Sequence, residues 1–461
     1  MMGHVPRRSP YIPCGSTARA IAADIEQAVR GGQLDVGERI PSVRNLAAEL
    51  RISPATVASA YRDLRQRGLL ISQGPNGMRV STRPTGIGRP VLRVPAGARD
   101  LANSNPDPKL LPPPDWGMPA ELADARLYGP DTAYGPLLEH TGEEFVREGV
   151  DASGQLVVSG AMDGIERILA VHLHPGDRVL VEDPTYAELL DLLRALRLQA
   201  VAVPADDDGP DPDRLSAALP SVQCAVLTPR AQNPTGATFA ADRARELRTA
   251  LGAHPGLLVI ENDHSARVAG SAYRTLSGAT SRWAVVRSVS KILSPDLRLA
   301  VIAADPDTIN HVEGRQLLGP GWVSHVLQKI AHRLWTHPEM DGLLARATSI
   351  YAQRRSALIA ELADRDIPAR GASGLNVYVE VPEESTIAQT LLGAGWAVRT
   401  GEGYRVDTRQ PFLRITTASL TPETGAQFAD DLKAALGRSR TTRARRPPTP
   451  TTPTAASAPA H

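Results

Sequence analysis

Disulfides, membrane spans and a global charge imbalance are all missing from this sequence of 461 residues. Its two cysteines, Cys14 and Cys224, lie far apart without a Cys-x-x-Cys or Cys/His cluster, which argues against a disulfide framework or structural zinc and for a reducing compartment. No stretch approaches the ~18 apolar residues that span a bilayer, and the opening MMGHVPRRSPYIPCGS lacks the apolar stretch of a signal peptide. A cytoplasmic protein with no membrane partner is expected. The formal net charge is only +1, so any binding to nucleic acid must come from a local patch.

Lysine is scarce. Four of the 51 basic side chains are lysines, and one, Lys291, sits in Ser288-Val289-Ser290-Lys291 with Arg298 following. A Schiff base needs an amine, which arginine cannot supply, and two hydroxyls with a guanidinium suit a phosphate. Taken alone, Ser-x-Ser-Lys describes a surface lysine beside a polar turn; with the rest of the chain, the pattern points to a covalently held phosphorylated cofactor.

Composition shifts at 81 to 100 (STRPTGIGRPVLRVPAGARD) and again after Gly437, where an arginine-rich start gives way to Pro, Thr and Ala. Neither stretch has apolar periodicity. The expected organisation is a compact module at 13–82, a linker at 83–100, a large body at 101–437 and a disordered tail at 438–461. In the body, the runs LVVSG (156–160), RVLVED (178–183), CAVLTP (224–229), LLVIEN (257–262) and AVVRSVS (284–290) alternate with helical segments such as DRARELRTALGAH (242–254). Such runs read as buried parallel strands of an α/β layer. Ligands of such sheets bind outside the strands' carboxyl ends, where Asn233, Asp263 and Lys291 should gather.

In the N-terminal module, Ile21, Ile25, Ala28 and Val29 repeat at helical spacing. Ser42 caps a second helix, and Ser53-Pro54 opens a third through Val57, Tyr61 and Leu64. Two short helices joined by a tight turn, then a hairpin around Gln73-Gly74-Pro75-Asn76-Gly77, give a winged helix-turn-helix whose third helix would enter the major groove by its first residues. Nine arginines stand against six acidic residues between 13 and 82, a modest surplus that suits phosphate neutralisation. Patterning alone also fits a small helical protein-interaction domain. The string IPSVRNLAAELRISPATVASAYRDLRQRGLL resembles the winged helix-turn-helix of the GntR family. That resemblance implies contacts to double-stranded DNA by Arg44, Ser53 and Thr56, with Gly77 in the wing. Pro54 stands where many relatives carry arginine, so one familiar contact is absent.

Three further features of the body join Lys291: the Asn233-Pro234-Thr235-Gly236 turn after a strand, Asp263 at the end of LLVIEND, and Gly160-Ala161-Met162 before the helix DGIERILAVHL. Each alone is ordinary turn or cap chemistry. Together they offer what pyridoxal 5′-phosphate requires: an amine, a buried carboxylate for the ring nitrogen, and a helix N-terminus with hydroxyls and arginine for the phosphate. The order Gly160, Tyr186, Asn233, Asp263, Ser288, Lys291, Arg298, Arg414 resembles the fold-type I, class I/II aminotransferases. The resemblance implies that Lys291 is the catalytic lysine. Tyr186 would stack on the ring and Asn233 would meet its hydroxyl, while Ser288, Ser290 and Arg298 would take the phosphate. It also implies that Tyr128 reaches the phosphate of the neighbouring subunit and that Arg414 binds a substrate carboxylate; Arg414 read alone is simply an arginine on a strand. His264 replaces a common tyrosine, where it would titrate near neutrality and donate to the ring hydroxyl. Met162 replaces a frequent polar residue, and Ala133 a common glycine.

A GntR-like reader joined to an aminotransferase-like body resembles the MocR subfamily of bacterial transcriptional regulators. The implied fold is multidomain α+β and α/β: a winged helix-turn-helix, then a pyridoxal-phosphate-dependent transferase domain with a mostly parallel sheet and a smaller C-terminal α/β subdomain. The implied function is a homodimeric DNA-binding regulator that senses pyridoxal 5′-phosphate or an amino acid or other amine effector. Two alternatives stay open: a working aminotransferase carrying a DNA-binding module, and a cofactor-free body serving only for dimerisation.

Overall fold

The computed structural model describes residues 11–30, 33–34, 37–66, 69–72, 78–80, 94–113, 116 and 132–444. These fall into two compact units, one built on the N-terminal residues up to Pro90 and one on most of the chain from Val91 onward.

The N-terminal unit holds α1 (Ala18–Arg30), α2 (Val43–Leu50) and α3 (Pro54–Gln66), followed by an antiparallel pair, β1 (Leu70–Ser72) and β2 (Met78–Val80), in the register Leu70↔Val80. The Ser42 hydroxyl accepts from the Asn45 amide at 3.2 Å and starts α2. Arg51, left-handed at φ 54°, ends it by turning its N–H back to Ala47 and Ala48. Ser53 accepts from Ala55 at 3.2 Å, with Pro54 in the first helical position, where no partner for its missing N–H is needed. Ile21, Ile25, Leu46, Val57 and Leu64 are fully buried between the helices, so the expected three-helix arrangement with a hairpin is present. Gly77 lies outside the described residues.

The larger unit is organised by an eight-stranded sheet of β4 (Gln155–Val158), β5 (Arg178–Asp183), β6 (Gln199–Asp206), β7 (Gly209–Pro210), β8 (Cys224–Leu227), β9 (Leu258–Asp263), β10 (Arg282–Ser288) and β11 (Ala300–Ala304). The order is β4-β11-β10-β9-β8-β5-β6-β7. Strands β5, β8, β9 and β10 run parallel, while β11 is antiparallel to both β10 and β4. Apolar side chains fill both faces, Val157, Leu180, Ala225, Val285 and Val301 on one and Val158, Val286 and Ile302, which meet α5 (Ala161–His172) at Gly164, on the other. A helix cover on both sides is what near-continuous apolar strands require. Helix α5 reaches the site by its N-terminus, and α4 (Gly135–Arg147) covers the other face of the sheet, its Phe145 beneath Arg287.

The C-terminal part carries a four-stranded antiparallel sheet, β12 (Ala369–Arg370), β13 (Asn376–Glu380), β16 (Phe412–Thr416) and β15 (Arg399–Thr400) in that order, with its own core around Val377, Ile387, Leu413 and Phe428. Two boundaries differ from those read in the sequence. Strand β3 (Arg99–Asp100) pairs in parallel with β14 (Trp396–Ala397), so the end of the expected linker is part of the body. The last helix runs Pro422–Ala444, past Gly437, because the arginines and alanine that follow are good helix formers. Residues 83–93 of the expected linker and 445–461 of the expected tail lie outside the described residues.

Among the described residues no helix is long and apolar enough to cross a membrane, and no cluster of metal-ligating side chains occurs. Both cysteines are free.

Candidate functional site

A pocket opens at the carboxyl ends of the parallel strands. Its lining includes Tyr186, Asn233, Ser288, Ser290, Lys291, Arg298 and Arg414 together, so residues up to 228 positions apart in the chain converge where the sheet topology places a ligand. Ala161, Met162 and His264 line it as well. Tyr128 lies outside the described residues.

Lys291 follows β10, and its Nζ donates to the carbonyl of Ser104 at 2.7 Å. Burial, then the charges of Arg414 and Arg298, push its amine down to about 8. The neutral amine is the nucleophile, so covalent capture of an aldehyde should speed up as pH rises through about 8 and level off above it. Arg414→Ala removes a like charge and should move that midpoint upward, measured from capture rates of an aldehyde by absorbance.

At the other end of the pocket, Gly160 caps α5 at φ 100°, a conformation that favours glycine. A Cβ there would lie 3.1 Å from Nη2 of Arg298, so the guanidinium packs against the helix N-terminus. Ser288 and Ser290 are linked to each other at 3.1 Å beside them. Free backbone N–H groups, a guanidinium and two hydroxyls form an anion site suited to a phosphate.

Two loops hold the flanking residues. Asp183 accepts from the amides of Val406, Asp407 and Thr408 at 3.1, 3.0 and 2.7 Å, and Thr185 N–H donates to Tyr404 at 2.8 Å, which fixes the turn bearing Tyr186. Gln232 ties the Asn233 turn to this one, donating to the Pro184 carbonyl at 2.7 Å. On β16, Arg414 is 3 % exposed. It donates to Asn233 Oδ1 at 3.2 Å and to the Ala102 carbonyl, while its Nε has no partner. A buried guanidinium with a free N–H facing a pocket is prepared for an oxygen ligand.

Asp263 is a correction to the sequence reading. It is fully buried and does not line the pocket. Its Oδ1 accepts from Arg230 Nε at 2.8 Å and from Ala266 N at 3.2 Å; its Oδ2 accepts from Arg230 Nη2 at 2.8 Å and Arg287 Nε at 2.7 Å. Those four bonds match the lone-pair capacity of a carboxylate. The two guanidiniums hold the Asp263 carboxyl far below the usual range despite its burial, and both also pair with Glu148. The reason is strand alternation. Glu261 and Asp263 of β9 point to one face, where Glu261 accepts from Tyr273 at 2.6 Å; Asn262 points to the other and lines the pocket.

His264 departs from its expected role too. Its Nε2 lies 2.9 Å from the Ala231 carbonyl and its Nδ1 3.1 Å from Ser265 Oγ, so neither nitrogen is left for a ligand hydroxyl. Burial, then the charge of Lys291, pushes it down to about 4, leaving the ring neutral at neutral pH. Among the lining residues that sequence reasoning missed are Asn103, Ser104, Asn262, Asn376 and Arg399.

In the N-terminal unit, Arg44 and Ser53 are exposed and Thr56 half-buried at the start of α2 and α3. They stand at the positions that meet DNA in a helix-turn-helix.

Comparison with known proteins matches the family "Aminotransferase class I and II" to residues 124–432 and "Bacterial regulatory proteins, gntR family" to residues 17–80. The chain is 36% identical to the vitamin B6 salvage pathway transcriptional repressor PtsJ of Salmonella typhimurium, over 92% of this chain and 99% of that protein. It is 26% identical to the HTH-type transcriptional regulator TauR of Rhodobacter capsulatus, over 88% and 94%. Among solved structures, LysN, an α-aminoadipate aminotransferase of Thermus thermophilus complexed with N-(5'-phosphopyridoxyl)-L-leucine, superposes with a TM-score of 0.68 at 23% identity, covering 75% of this chain and 94% of that one.

Proposed function

The chain belongs to the class I and II aminotransferase family, with a gntR-family reader ahead of that domain as in the MocR subfamily, and from this premise we propose that it is a repressor whose signal is pyridoxal 5′-phosphate. It is a DNA-binding transcriptional regulator, and pyridoxal 5′-phosphate is its cofactor. The likeness to a vitamin B6 salvage repressor supports the cofactor itself as the signal. The observation that carries the reading is Lys291, with its lowered proton affinity, in one pocket with Ala161 at the N-terminus of α5 and with Ser288, Ser290 and Arg298.

The residues present fit the cofactor. Lys291 would hold its aldehyde, the N-terminus of α5 with Arg298 and the two serines its phosphate, and Tyr186 one face of its ring. Bound there, pyridoxal phosphate supplies an aldehyde carbon and a conjugated ring that withdraws electrons. Arg414 would orient a carboxylate through its free Nε, which favours an amino acid as a second effector. Occupancy alters operator affinity only as far as it favours one of two conformations of the protein.

Dimerisation would set two recognition helices about 34 Å apart, or a multiple of that, on successive half-sites; the exposed Leu317 and Leu318 suit a subunit interface. The reading places the protein in the cytoplasm.

Retention of DNA from upstream of its own gene tests the DNA-binding role at fixed salt. Arg44→Ala is expected to weaken binding to all sequences alike and to lower the salt slope by about 1, as loss of one phosphate contact does. Binding of wild type no tighter than to random DNA, with no change in Arg44→Ala or Thr56→Ala, sinks the reading.

A further inference from the structure

Asn262 is 4 % exposed and lines the pocket, yet its buried Oδ1 has no hydrogen-bond partner. Across the strand pair it stands opposite Val286. Val286 packs toward α5: a Cβ on Gly164 of that helix would meet Val286 Cγ1 at 3.3 Å. Asn262 therefore faces the side of the sheet on which α5 brings its N-terminus to the anion site. A carboxylate on β9 reaches only the opposite side, where Asp263 has spent its lone pairs on Arg230, Arg287 and the Ala266 amide.

The charges around the pocket point the same way. Its lining carries Lys291, Arg298, Arg399 and Arg414 but a single carboxylate, Glu188, which lies 3.9 Å from Arg399. A ring nitrogen gains a proton when an anion faces it and loses one among like charges. An amide offers no anion.

We propose that Asn262, a neutral amide with no partner in the protein to hold its oxygen, turns its NH2 to the ring nitrogen of pyridoxal phosphate and donates to it, so that the nitrogen stays unprotonated and the site retains the cofactor as a sensed ligand. The proposal rests on the cofactor binding described above. A bare nitrogen leaves the ring a weak electron sink, because the pull that stabilises a carbanion on an attached amino acid comes from the protonated ring. Binding is preserved, since Lys291 and the anion site make their contacts independently of the nitrogen. Amino-acid turnover is what an amide facing the nitrogen, in place of a carboxylate, disfavours, and it does so without altering the pocket's shape.

The test is the 15N resonance of pyridoxal phosphate labelled at the ring nitrogen, bound to the full-length protein at neutral pH. Wild type is expected to show the unprotonated position, and Asn262→Asp to shift it to the protonated one. A protonated nitrogen in wild type, or no shift in a folded Asn262→Asp protein, overturns the proposal; the wild-type spectrum decides even if the variant does not fold. Failure to acquire any Lys291-dependent absorbance band would overturn the cofactor reading as well, whereas a band with a protonated nitrogen overturns the amide proposal alone.

Discussion

Lys291→Ala should abolish the visible absorbance band that wild type acquires with pyridoxal phosphate. The amine that bonds to the aldehyde is gone, and none of the other three lysines, Lys109, Lys329 and Lys433, lines the pocket. The proposed phosphate site at Arg298 and the N-terminus of α5 is untouched, so the variant should still bind the cofactor, weakly and with the spectrum of the free aldehyde. Lys291→Arg should not rescue the band. It restores the charge near Arg414 and Arg298, but a guanidinium stays protonated at any pH that leaves the protein folded. Retention of the band in either variant would place the covalent bond elsewhere. Capture rates add a second check, since a lysine brought down to about 8 reacts faster at neutral pH than one at its ordinary value.

Asp263→Ala should cost about 3–5 kcal/mol of stability, the usual range for removing one partner of a buried ion pair. Arg230 and Arg287 would keep only Glu148 as a counter-charge, deep beneath the sheet, where Arg230 stacks on Tyr273 at 4.6 Å and Arg287 on Phe145 at 4.4 Å. The measurement is urea unfolding of the full chain. The sign of the pH dependence follows from the lowered carboxyl: Asp263 contributes stability above the unfolded-state value near 4, and that contribution is lost as pH falls toward its folded-state value. Native stability in Asp263→Ala, with an altered cofactor spectrum, would instead return this residue to the ring.

Much of the architecture was legible from patterning. Ser42 and Ser53-Pro54 mark helix starts by cap chemistry that depends on neighbours in sequence, and the apolar runs of β5, β8, β9 and β10 can only be buried strands. Lys291, Ser288, Arg298 and Asn233 were legible because each ends or follows a strand whose carboxyl end the topology gathers into one place. Asp263 was not. In LLVIEND three polar residues end a strand covered on both faces, so hydrophobic alternation cannot say which of Glu261, Asn262 and Asp263 looks into the pocket. A clue did exist: Arg287 interrupts the apolar run AVVRSVS, and a buried arginine demands a buried carboxylate. His264 was misjudged for a different reason. Its value depends on burial and on bonds to Ala231 and Ser265, which only the folded chain supplies.

The boundaries at Arg99 and Gly437 failed where composition stands in for structure. Arg99–Asp100 joins the body through backbone pairing with Trp396–Ala397, which depends little on side-chain character. The helix beyond Gly437 continues because nothing in RSRTTRA breaks it.

Cofactor-dependent DNA binding is the central claim, and fluorescence anisotropy of labelled upstream DNA, with and without pyridoxal phosphate at one salt concentration, tests it most directly. Wild-type affinity should change by about tenfold or more, a coupling of roughly 1.4 kcal/mol, while Lys291→Ala should bind equally well in both conditions. A wild-type affinity indifferent to the cofactor, or an equal change in Lys291→Ala, would contradict the account.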